Sequence, residues 1–325
     1  MKALLLEDKN MWREMKVSET EKPAPGPGEV LVKVKAAGLN PVDYKTATNG
    51  NPNWSYPHIL GVDAAGVIKE TGEGVSEFRK GDRVFYHGNL TKKGGFAEFA
   101  VTTAHTVARI PDELSFEDAA ALPCAGMTAY QALIRKMNLQ SGETILIHGG
   151  AGGVGGFAIQ LAKNIGAKVI TTCSPENEEY VKELGADYVI FYKTENVHAR
   201  ILEITENAGV NAVLDTVSRD NATDSLKSIA FNGRIAFIAG NPDYSAVKPF
   251  SQALSFQEIA LGAAHFSNNR EAQKDLAVMN EELANLVVES KLSTNISEKI
   301  TLEEVPAALI KLSERHVKGK IVAVI

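Results

Sequence analysis

Cysteine is scarce in this sequence: 325 residues contain two, Cys124 and Cys173. Two thiols cannot build the bridge framework of a small secreted domain or a four-thiolate zinc site. Long apolar runs are also missing, because none approaches the roughly 18 residues that span a bilayer. The apolar stretch at the N-terminus is short and reaches acidic residues at once, so it predicts a first β-strand, not a signal peptide. A cytoplasmic protein without a membrane partner is the expectation.

Basic residues are too few and too scattered for a nucleic-acid-binding surface. Lysine and arginine total 34 against 40 acidic residues, a net charge of −6. No basic run is long enough to follow a phosphate backbone, so we expect no nucleic-acid partner. The content of 44% hydrophobic and 23% charged residues is that of an ordinary globular protein. The length predicts two domains.

The pattern of the chain changes near residue 123. Residues 1–122 read as many short strands separated by glycine turns, which is typical of a small barrel or sandwich. Val30–Ala36 alternates apolar and polar residues as a half-buried strand does. From residue 123, strand-like and helix-like segments alternate, which predicts βαβ units and a parallel sheet. From about residue 267 the chain is helical and polar, and it ends in a strand that either sheet could accept.

The predicted elements bracket a cluster of glycines. The expected strands include Arg83–Tyr86, Phe96–Val101, Thr144–Ile147, Lys168–Thr172, Tyr188–Ile190, Asn211–Asp215 and Arg234–Ala239, and the expected helices include Val154–Ile165 and Glu176–Leu184. The glycines stand between the strand that begins at Thr144 and the helix that ends at Ile165. A glycine cluster in that position indicates that the backbone comes very close to another group.

Gly150, Gly152 and Gly155 have the spacing G-x-G-x-x-G. The motif is weak alone, but a strand before it and a helix after it indicate a dinucleotide site. The first glycine allows a tight turn, the second lets a pyrophosphate approach, and the third lets the helix pack on the strand. The helix N-terminus then attracts the anion. The predicted cofactor loop comprises Gly150, Ala151, Gly152, Gly153, Val154 and Gly155.

The end of the next strand indicates which dinucleotide binds. Sites for NAD place an acidic residue there to bind the ribose 2′-hydroxyl. Here the strand ends at Ser174, and neither Ser174 nor Asn177 is charged. A carboxylate at that position would repel a 2′-phosphate, so its absence favours NADPH. The acidic residues that follow, Glu176, Glu178 and Glu179, suit the first turn of a helix.

The whole chain resembles the medium-chain dehydrogenase/reductase superfamily, and within it the zinc-independent quinone oxidoreductase and enone reductase branch. The resemblance is carried by the glycine loop and by segments 37–45, 57–66, 78–84, 94–99 and 122–130. It implies an α/β fold: a GroES-like barrel from residues 1–122 and 267–325, and a Rossmann domain of residues 123–266. It also implies an active site between the two domains, a terminal strand in the catalytic domain, and a homodimer.

The resemblance also identifies where zinc-dependent relatives hold their catalytic metal. Those positions fall here at Asn40, at the pair Val62-Asp63, and at Cys124. One thiol and one carboxylate do not make a three-ligand catalytic site, so we expect no metal and interpret Cys124 as a small buried residue. His58, His87, His105 and His148 lack metal-like spacing and are expected to be structural or exposed.

Hydride transfer to a conjugated acceptor fits a site without zinc. Alcohol oxidation develops an alkoxide that zinc stabilises, whereas a quinone or an α,β-unsaturated carbonyl spreads its charge onto a distant oxygen that hydrogen-bond donors can stabilise. By resemblance Asn40 and Tyr44 line the substrate cleft, and Tyr44 or Lys45 donates to that oxygen. Trp54 and Phe266 are candidates for an apolar wall beside a planar substrate.

Further cofactor contacts follow from the resemblance and from strand ends. Thr128 matches a position that touches the nicotinamide side, and Tyr192 matches a tyrosine that reaches the 2′-phosphate side. Val217 and the pair Ala239-Gly240 follow two strands of the predicted sheet, where backbone groups meet the ligand. Two alternatives remain open: a non-catalytic NADPH-binding sensor or interaction protein, and an enoyl-thioester reductase, although no basic rim for carrier phosphates is evident.

Overall fold

The structure is a computed structural model that describes residues 1–315 and 317–325. Its strands are β1 Lys2–Leu5, β2 Lys16–Glu19, β3 Glu29–Gly38, β4 Asp63–Thr71, β5 Arg83–His87, β6 Phe99–Thr103, β7 Ala108–Arg109, β8 Thr144–His148, β9 Lys168–Cys173, β10 Tyr188–Phe191, β11 Val210–Asp215, β12 Ile229–Phe237, β13 Ser255–Glu258, β14 Ile296–Thr301 and β15 Lys320–Val324. Its α-helices are α1 Pro41–Asn49, α2 Phe116–Ala121, α3 Pro123–Tyr130, α4 Gly153–Ile165, α5 Glu178–Glu183, α6 Val197–Ile204, α7 Arg219–Ser225, α8 Arg270–Val288 and α9 Val305–Ser313.

Shorter helical segments connect these elements. A π-helix follows α3 at Gln131–Lys136. Segments of 3₁₀-helix lie at Trp12–Glu14, Ala104–Thr106, Pro175–Asn177, Leu226–Ser228, Tyr244–Ala246, Leu261–Phe266 and Leu302–Glu304. Among the residues that the structure describes, no helix combines the length and the apolar character needed to cross a membrane.

The chain divides into two compact units. Unit 1 comprises Met1–Met127, Gly262–Ser290 and Thr294–Ile325, and unit 2 comprises Thr128–Leu261 and Lys291–Ser293. The main sheet of unit 1 has the order β14-β15-β3-β4-β5-β7, and β6 also pairs with β3. The terminal strand β15 pairs with β14 in parallel and with β3 antiparallel, so it lies in the interior of the unit 1 sheet.

Alternating side chains fix the register of the unit 1 sheet. In β3, Val30, Val32 and Val34 are buried in one hydrophobic cluster, and a one-residue slip would turn this face outward. A second cluster lies around Trp12, Phe96 and several leucines of the N-terminal strand. Burial of these faces, at about 25 cal/mol per Å² of apolar surface, supplies the main stabilisation of the barrel.

The sheet of unit 2 has the order β10-β9-β8-β11-β12-β13, and its adjacent strands run parallel. The strand order reverses at β8, which lies between β9 and β11. In sheets of this kind the ligand binds at the carboxyl ends of the strands where the order reverses. The glycine loop follows β8 directly, so the topology places it at that edge.

Most of the expected elements differ from the structure by one or two residues at an end, and in three the local contacts explain the difference. The strand expected at Phe96–Val101 is β6 Phe99–Thr103, because the backbone N–H of Phe96 donates to Leu60 in a loop. The strand expected at 234–239 is β12, which begins five residues earlier and pairs with β11 through a register shift. The helix expected at 176–184 is the shorter α5, preceded by a 3₁₀ turn.

Candidate functional site

The glycine loop of unit 2 forms a tight turn that leaves no room for a side chain at two of its glycines. A Cβ on Gly150 would lie 2.1 Å from Thr171 Oγ1, and a Cβ on Gly155 would lie 2.3 Å from the carbonyl oxygen of Gly149. Gly152 differs, because the nearest atom to its Cβ would be 3.4 Å away. The protein itself therefore requires glycine at 150 and 155, whereas a Cβ at 152 would make only an ordinary contact, so space remains beside Gly152.

Gly152 also precedes α4, and no side chain caps that helix. The first N–H groups of a helix carry a partial positive charge and bind anions. Ala151, Gly153 and Val154 complete the loop at this helix start. The loop thus offers backbone donors and a position without a side chain, which suits the pyrophosphate of a dinucleotide.

Two neighbouring strand ends of unit 2 meet beside this loop. Ser174 follows β9 and Tyr192 follows β10, and the parallel pairing of these strands brings Ser174 Oγ to 3.2 Å from Tyr192 Oη. Tyr192 is half exposed, and the ammonium of Lys193 lies 5.9 Å from its ring. Asn177 ends the 3₁₀ turn that follows Ser174. Of the expected residues of the adenosine side, Ser174 and Tyr192 therefore contact each other through their hydroxyl groups, with the cation of Lys193 next to them.

The end of β11 is held by a buried carboxylate. Asp215 accepts hydrogen bonds from the backbone N–H groups of Val217, at 3.0 Å, and Ser218, at 3.1 Å. Thr216 Oγ1 donates to the carbonyl of His148 at 2.7 Å, which ties this turn to the end of β8. Val217 is thereby fixed in position. Asp215 serves the backbone and is buried, so it has a structural role.

The remaining expected cofactor residues of unit 2 lie in defined backbone settings. Gly240 has a φ of 134°, and a Cβ there would lie 3.2 Å from Arg219 Cβ. Ala239 precedes it beyond the end of β12. Thr128 lies in α3 and is buried. The structure thus gives each of these residues a defined position.

Unit 1 contains a buried ionic cluster that involves Asn40. The ammonium of Lys320 donates to Asn40 Oδ1 at 2.6 Å and to the carbonyl of Leu39 at 3.0 Å, and it lies 3.7 Å from Asp63 Oδ2. Asn40 Nδ2 donates to Asp63 Oδ2 at 2.7 Å and weakly to the carbonyl of Gly38 at 3.4 Å. The amide of Asn40 is therefore held between a fixed cation and a fixed anion.

A second carboxylate lies in the same cluster. Asp43 Oδ2 accepts from the N–H of Asn40 at 2.8 Å, and Oδ1 accepts from the N–H of Val62 at 3.1 Å. Burial raises the pKa of Asp43 to about 7 and that of Asp63 to about 6. The ammonium of Lys320 acts against this rise at both carboxyl groups, and hydrogen-bond donors do the same.

Asp63 also brings together a histidine and a cysteine. His87 is its direct partner in the antiparallel register of β4 and β5, and the N–H of Cys124 donates to Asp63 Oδ1 at 3.0 Å. One ligand atom from each of these three residues lies within 4.8 Å of the other two. His87 Nδ1 is 3.4 Å from Nε2 of His265, and the two rings are stacked. Burial lowers the pKa of His87 to about 3 and that of His265 to about 4.

The expected donors on α1 lie in different surroundings. Tyr44 packs against Trp12, with ring centroids 5.5 Å apart, and burial raises its pKa. Lys45 is exposed. On another face of the helix, Asp43 and Thr46 line a small cavity in unit 1. The helix therefore directs Tyr44 towards a hydrophobic cluster and directs Asp43 and Thr46 towards the cavity.

The expected aromatic wall divides between two segments of unit 1. Trp54 lines the same cavity, stacks on His58 with centroids 4.0 Å apart, and donates from Nε1 to the carbonyl of Leu90 at 2.6 Å. Phe266 ends the 3₁₀ segment that carries His265 and is half exposed. Trp54 is fixed by two contacts, whereas Phe266 presents its ring at the surface.

Known proteins share this arrangement along the whole chain. A family model described as alcohol dehydrogenase GroES-like domain matches residues 26–112, and one described as zinc-binding dehydrogenase matches residues 153–285. A quinone oxidoreductase of Homo sapiens is 32% identical over 256 residues, 78% of this chain and 77% of the relative. Another from Pseudomonas aeruginosa is 33% identical over 302 residues, 92% of this chain and 91% of the relative.

The chain belongs to the medium-chain dehydrogenase/reductase superfamily, in its quinone oxidoreductase branch. It is an oxidoreductase, and its homologues imply a nicotinamide cofactor. The solved structure of a Pseudomonas syringae quinone oxidoreductase agrees with a TM-score of 0.88 at 32% identity, over 100% of this chain and 99% of that one. The α/β fold with a parallel Rossmann-like sheet and a GroES-like domain is thus confirmed.

The residues present fit a dinucleotide. Gly152 leaves space at an uncapped helix start, and the carbonyl oxygen of Gly149 already accepts from the N–H of Gly152 at 3.0 Å. The residues fit a metal less well than a dinucleotide. The description of one matching family names zinc, but two of the positions expected to hold the metal are occupied by Asn40 and Val62. Carboxylate, imidazole and thiol are nevertheless all zinc ligands, and the structure groups one of each.

Sequence reasoning missed Lys320, His87 and His265 as parts of this oxidoreductase's polar cluster. A signal existed for Lys320, because it is a lone charge in the otherwise apolar run of β15. The two histidines are 178 positions apart in the chain. No local pattern joins them, since their contact depends on the register of β4 and β5 and on the path of the chain before α8.

Proposed function

We propose that this oxidoreductase transfers a hydride from NADPH to a quinone or an α,β-unsaturated carbonyl compound, such as an alkenal or enone, without using a metal. When bound, NADPH supplies the hydride. The acceptor then carries its charge on an oxygen away from the carbon that receives the hydride. Hydrogen-bond donors of the protein are sufficient to stabilise such an oxygen, so the task of the protein is mainly to hold the two reactants at reacting distance.

The proposal rests on the position of Asn40 and on its hydrogen-bond partners. It occupies a position at which zinc-dependent relatives place a ligand, and its amide is bound between Lys320 and Asp63. The next expected ligand position is the apolar Val62. In the proposal, a chain with these residues does without the usual Lewis acid for alcohol oxidation. A metal held by Asp63, His87 and Cys124 would supply polarisation of a bound oxygen, and the proposed hydride transfer does not use it.

The preference for NADPH rests on the adenosine side of unit 2. Ser174 and Tyr192 are within hydrogen-bonding distance of each other, and both side chains end in hydroxyl groups. Lys193 adds a positive charge next to Tyr192. A 2′-phosphate would meet hydroxyl groups and a cation there, whereas the ribose of NADH would lack its usual carboxylate acceptor.

The donor to the substrate oxygen belongs to segment 40–45 in this proposal. Tyr44 and Lys45 are the candidates, because each side chain ends in a hydrogen-bond donor. Asn40, Trp54 and Phe266 complete the proposed substrate site. Tyr44→Phe removes one hydroxyl, and Lys45→Met removes one ammonium. The variant that lacks the true donor should lose kcat by about 10²-fold with little change in the affinity for NADPH. Equal activity in both variants would contradict this assignment.

The test is consumption of NADPH with a panel of acceptors. The panel contains 1,4-benzoquinone, 9,10-phenanthrenequinone, an alkenal, an alkenone and a saturated aldehyde, with NADH in parallel and with a chelator. We expect turnover of the conjugated acceptors only, faster with NADPH and unchanged by the chelator. Reduction of the saturated aldehyde that the chelator abolishes would overturn the proposal. Tight NADPH binding without turnover would identify a sensor instead, and turnover restricted to an enoyl thioester would identify a thioester reductase.

The proposal includes a cytoplasmic homodimer. In unit 2, β13 forms an edge of the parallel sheet and pairs with β12 on one side. Exposed aromatic residues lie near this edge, among them Phe250 and Tyr244. An edge strand is a template for pairing with a second chain. Light scattering after size-exclusion chromatography should give twice the chain mass of 34.9 kDa; the cytoplasmic location rests on the sequence expectation.

A further inference from the structure

A buried histidine stands immediately before the glycine loop of unit 2. His148 is the last residue of β8, and its side chain is buried. Its Nδ1 lies 3.2 Å from Oγ1 of Thr172, and its Nε2 lies 2.9 Å from Oγ of Ser225. Thr172 belongs to β9, and Ser225 is the last residue of α7. The imidazole therefore connects three elements of unit 2.

The partners of this imidazole determine which of its nitrogens carries the proton. The hydroxyl of Ser225 donates to the carbonyl oxygen of Asn221 at 2.7 Å. Because a hydroxyl group has one hydrogen, Ser225 Oγ accepts from His148, and the ring proton is assigned to Nε2. Burial lowers the pKa of His148 to about 4, so the ring is neutral at physiological pH. In the neutral ring, Nδ1 is then a hydrogen-bond acceptor.

The same assignment extends to the glycine loop. Because Nδ1 accepts, Thr172 Oγ1 donates its single hydrogen to it. The lone pairs of this oxygen then accept the backbone N–H of Gly149 at 3.2 Å, and the carbonyl of Thr172 accepts the N–H of Gly150 at 3.0 Å. The result is a hydrogen-bond path with a single direction, which runs from Gly149 N–H through Thr172, His148 and Ser225 to the carbonyl of Asn221.

The far end of this hydrogen-bond path holds the turn after β11. Asn221 Nδ2 donates to Asp215 Oδ2, and Asp215 Oδ1 accepts the N–H of Val217 at 3.0 Å. The turn is also tied to β8, since Thr216 Oγ1 donates to the carbonyl of His148 at 2.7 Å. His148 thus joins the two segments that the proposed cofactor site uses, the glycine loop and residues 216–218.

We propose that His148 is a positioning residue of the cofactor site, whose Nε2-protonated imidazole couples the glycine loop to the turn at 216–218. Loop donors that are already oriented lose less conformational freedom when a dinucleotide binds, so the affinity is higher. In a continuous hydrogen-bond path, the loss of one member also weakens its neighbours. This role rests on the proposed function only for its nicotinamide cofactor, and not for the acceptor or for the preference for NADPH.

The test is a double-variant cycle on the dissociation constants of NADPH and NADH, measured by fluorescence titration. In His148→Gln the introduced amide reaches the position of Nε2, so the bond to Ser225 is kept and the acceptor for Thr172 is lost. His148→Gln and Thr172→Val should each raise Kd about tenfold for both dinucleotides. The double variant should bind no more weakly than the weaker single variant, because the path is already interrupted.

Two further variants separate positioning from a general loss of structure. Thr172→Ser keeps the hydroxyl and should bind both dinucleotides as the wild type does. His198→Gln is the matched control, because His198 Nδ1 lies 2.9 Å from Oγ of Ser228 in the same unit without a bond to the loop. It should leave Kd unchanged and should add nothing to Thr172→Val. Circular dichroism checks that each variant is folded.

The position of the ring proton is tested in the wild-type protein, which needs no variant to be active. Long-range ¹H–¹⁵N spectra distinguish the two neutral tautomers and the charged ring, and comparison with His148→Gln assigns the signals among the seven histidines of the chain. We expect a neutral ring with its proton on Nε2 at neutral pH, and a change in its signals when NADPH binds. A charged ring or a proton on Nδ1 would overturn the proposal.

The binding data can overturn it independently. Additive effects of His148→Gln and Thr172→Val would mean that the two residues do not act through one path, and weak binding by Thr172→Ser would mean that the hydroxyl is not what matters. Wild-type protein that binds neither dinucleotide would overturn the proposed function itself. Normal wild-type binding that neither single variant weakens would overturn only the role of His148.

Discussion

The two candidate binding regions of this oxidoreductase are built by opposite means. In unit 2 the glycine loop uses backbone and empty space: Gly150 and Gly155 pack against the loop's own atoms, and Gly152 leaves room for a ligand. In unit 1 the polar cluster uses charged side chains with almost no space, in which Lys320 and Asp63 are buried. The glycine loop keeps its own packing when no ligand is bound. The polar cluster, by contrast, cannot lose a charged side chain without leaving another charge unpaired.

The two regions are therefore sensitive to opposite kinds of substitution. A loop of glycines is sensitive to added atoms, because each new Cβ meets backbone or ligand. A buried ionic cluster is sensitive to removed atoms, because an unpaired buried charge is costly. Substitutions that add or remove single groups therefore test this difference between the two regions.

The largest expected effect is the loss of Lys320. Lys320→Met leaves Asp63 buried without its cation, and we expect a loss of about 3–5 kcal/mol in the free energy of unfolding, as for other broken buried pairs. The double variant Lys320→Met/Asp63→Asn should recover part of this loss, because no charge is then left unpaired. Denaturant unfolding measures both proteins.

Lys45→Met is the matched control for this experiment. Lys45 is exposed, and its loss should change the free energy of unfolding by no more than about 0.5 kcal/mol. If Lys320→Met were as stable as this control, or if the double variant were no better than Lys320→Met alone, the cluster would not be held by charge.

The next effect compares two glycines of one loop. Gly155→Ala places a Cβ 2.3 Å from the carbonyl oxygen of Gly149, so we expect a loss of about 1–3 kcal/mol in stability. Gly152→Ala meets its nearest atom at 3.4 Å, so its stability should stay within about 0.5 kcal/mol of the wild type. Its affinity for NADPH should nevertheless fall about tenfold, equivalent to about 1.4 kcal/mol.

Thermal unfolding and a fluorescence titration with NADPH separate these two glycines. A destabilised Gly152→Ala protein would mean that the protein, and not the ligand, requires this glycine. Unchanged NADPH affinity in a stable Gly152→Ala protein would mean that the pyrophosphate does not approach the loop at this position.

The same contrast explains how much could be predicted from the sequence. The glycine loop, the strand before it and the helix after it are consecutive residues, so local spacing revealed them, and β8 begins at Thr144 as expected. The alternation of Val30, Val32 and Val34 revealed β3 for the same reason. Bounds were less certain where a bulge intervenes, as in β12.

The cluster of unit 1 could not be predicted in this way. Asp63 and His87 meet only because β4 and β5 pair in one register, and Lys320 arrives from the end of the chain, 280 positions from Asn40. Spacing in sequence carries no information about such contacts. The resemblance identified Asn40, Asp63 and Cys124 as positions of interest, but it did not identify the imidazole or the ammonium beside them.

A smaller effect tests the adenosine side of unit 2. Ser174→Asp introduces a carboxylate next to Tyr192, and it should repel a 2′-phosphate while it accepts a ribose hydroxyl. We expect the ratio of kcat/KM for NADPH to that for NADH to fall about tenfold or more, as a charge pair in partial solvent implies. Ser251→Asp adds the same charge at an exposed position of unit 2 and should leave the ratio unchanged. An unchanged ratio in Ser174→Asp would place the 2′-phosphate elsewhere.

The smallest effect comes from a partly exposed ion pair of unit 2, which contrasts with the fully buried pair of unit 1. Arg234 Nη1 donates to Glu143 Oε1 at 3.0 Å. Burial, the largest single cause, would raise the pKa of Glu143, but the hydrogen bonds from Arg234 and from the N–H of Gln140, together with the charge of Arg234, outweigh it, and the pKa is lowered. The stabilisation is therefore present above the unfolded pKa of about 4.3 and is lost as the pH falls through the lower folded value.

Glu143→Gln measures this contribution. Because the pair is partly solvated, the variant should lose about 1 kcal/mol or less at neutral pH, and the difference from the wild type should shrink when urea unfolding is repeated at about pH 4. Glu183→Gln, at an exposed site of α5, should show no loss at either pH. A loss in Glu143→Gln as large as that in Lys320→Met would contradict the comparison. It would mean that exposure to water does not weaken an ion pair in this protein.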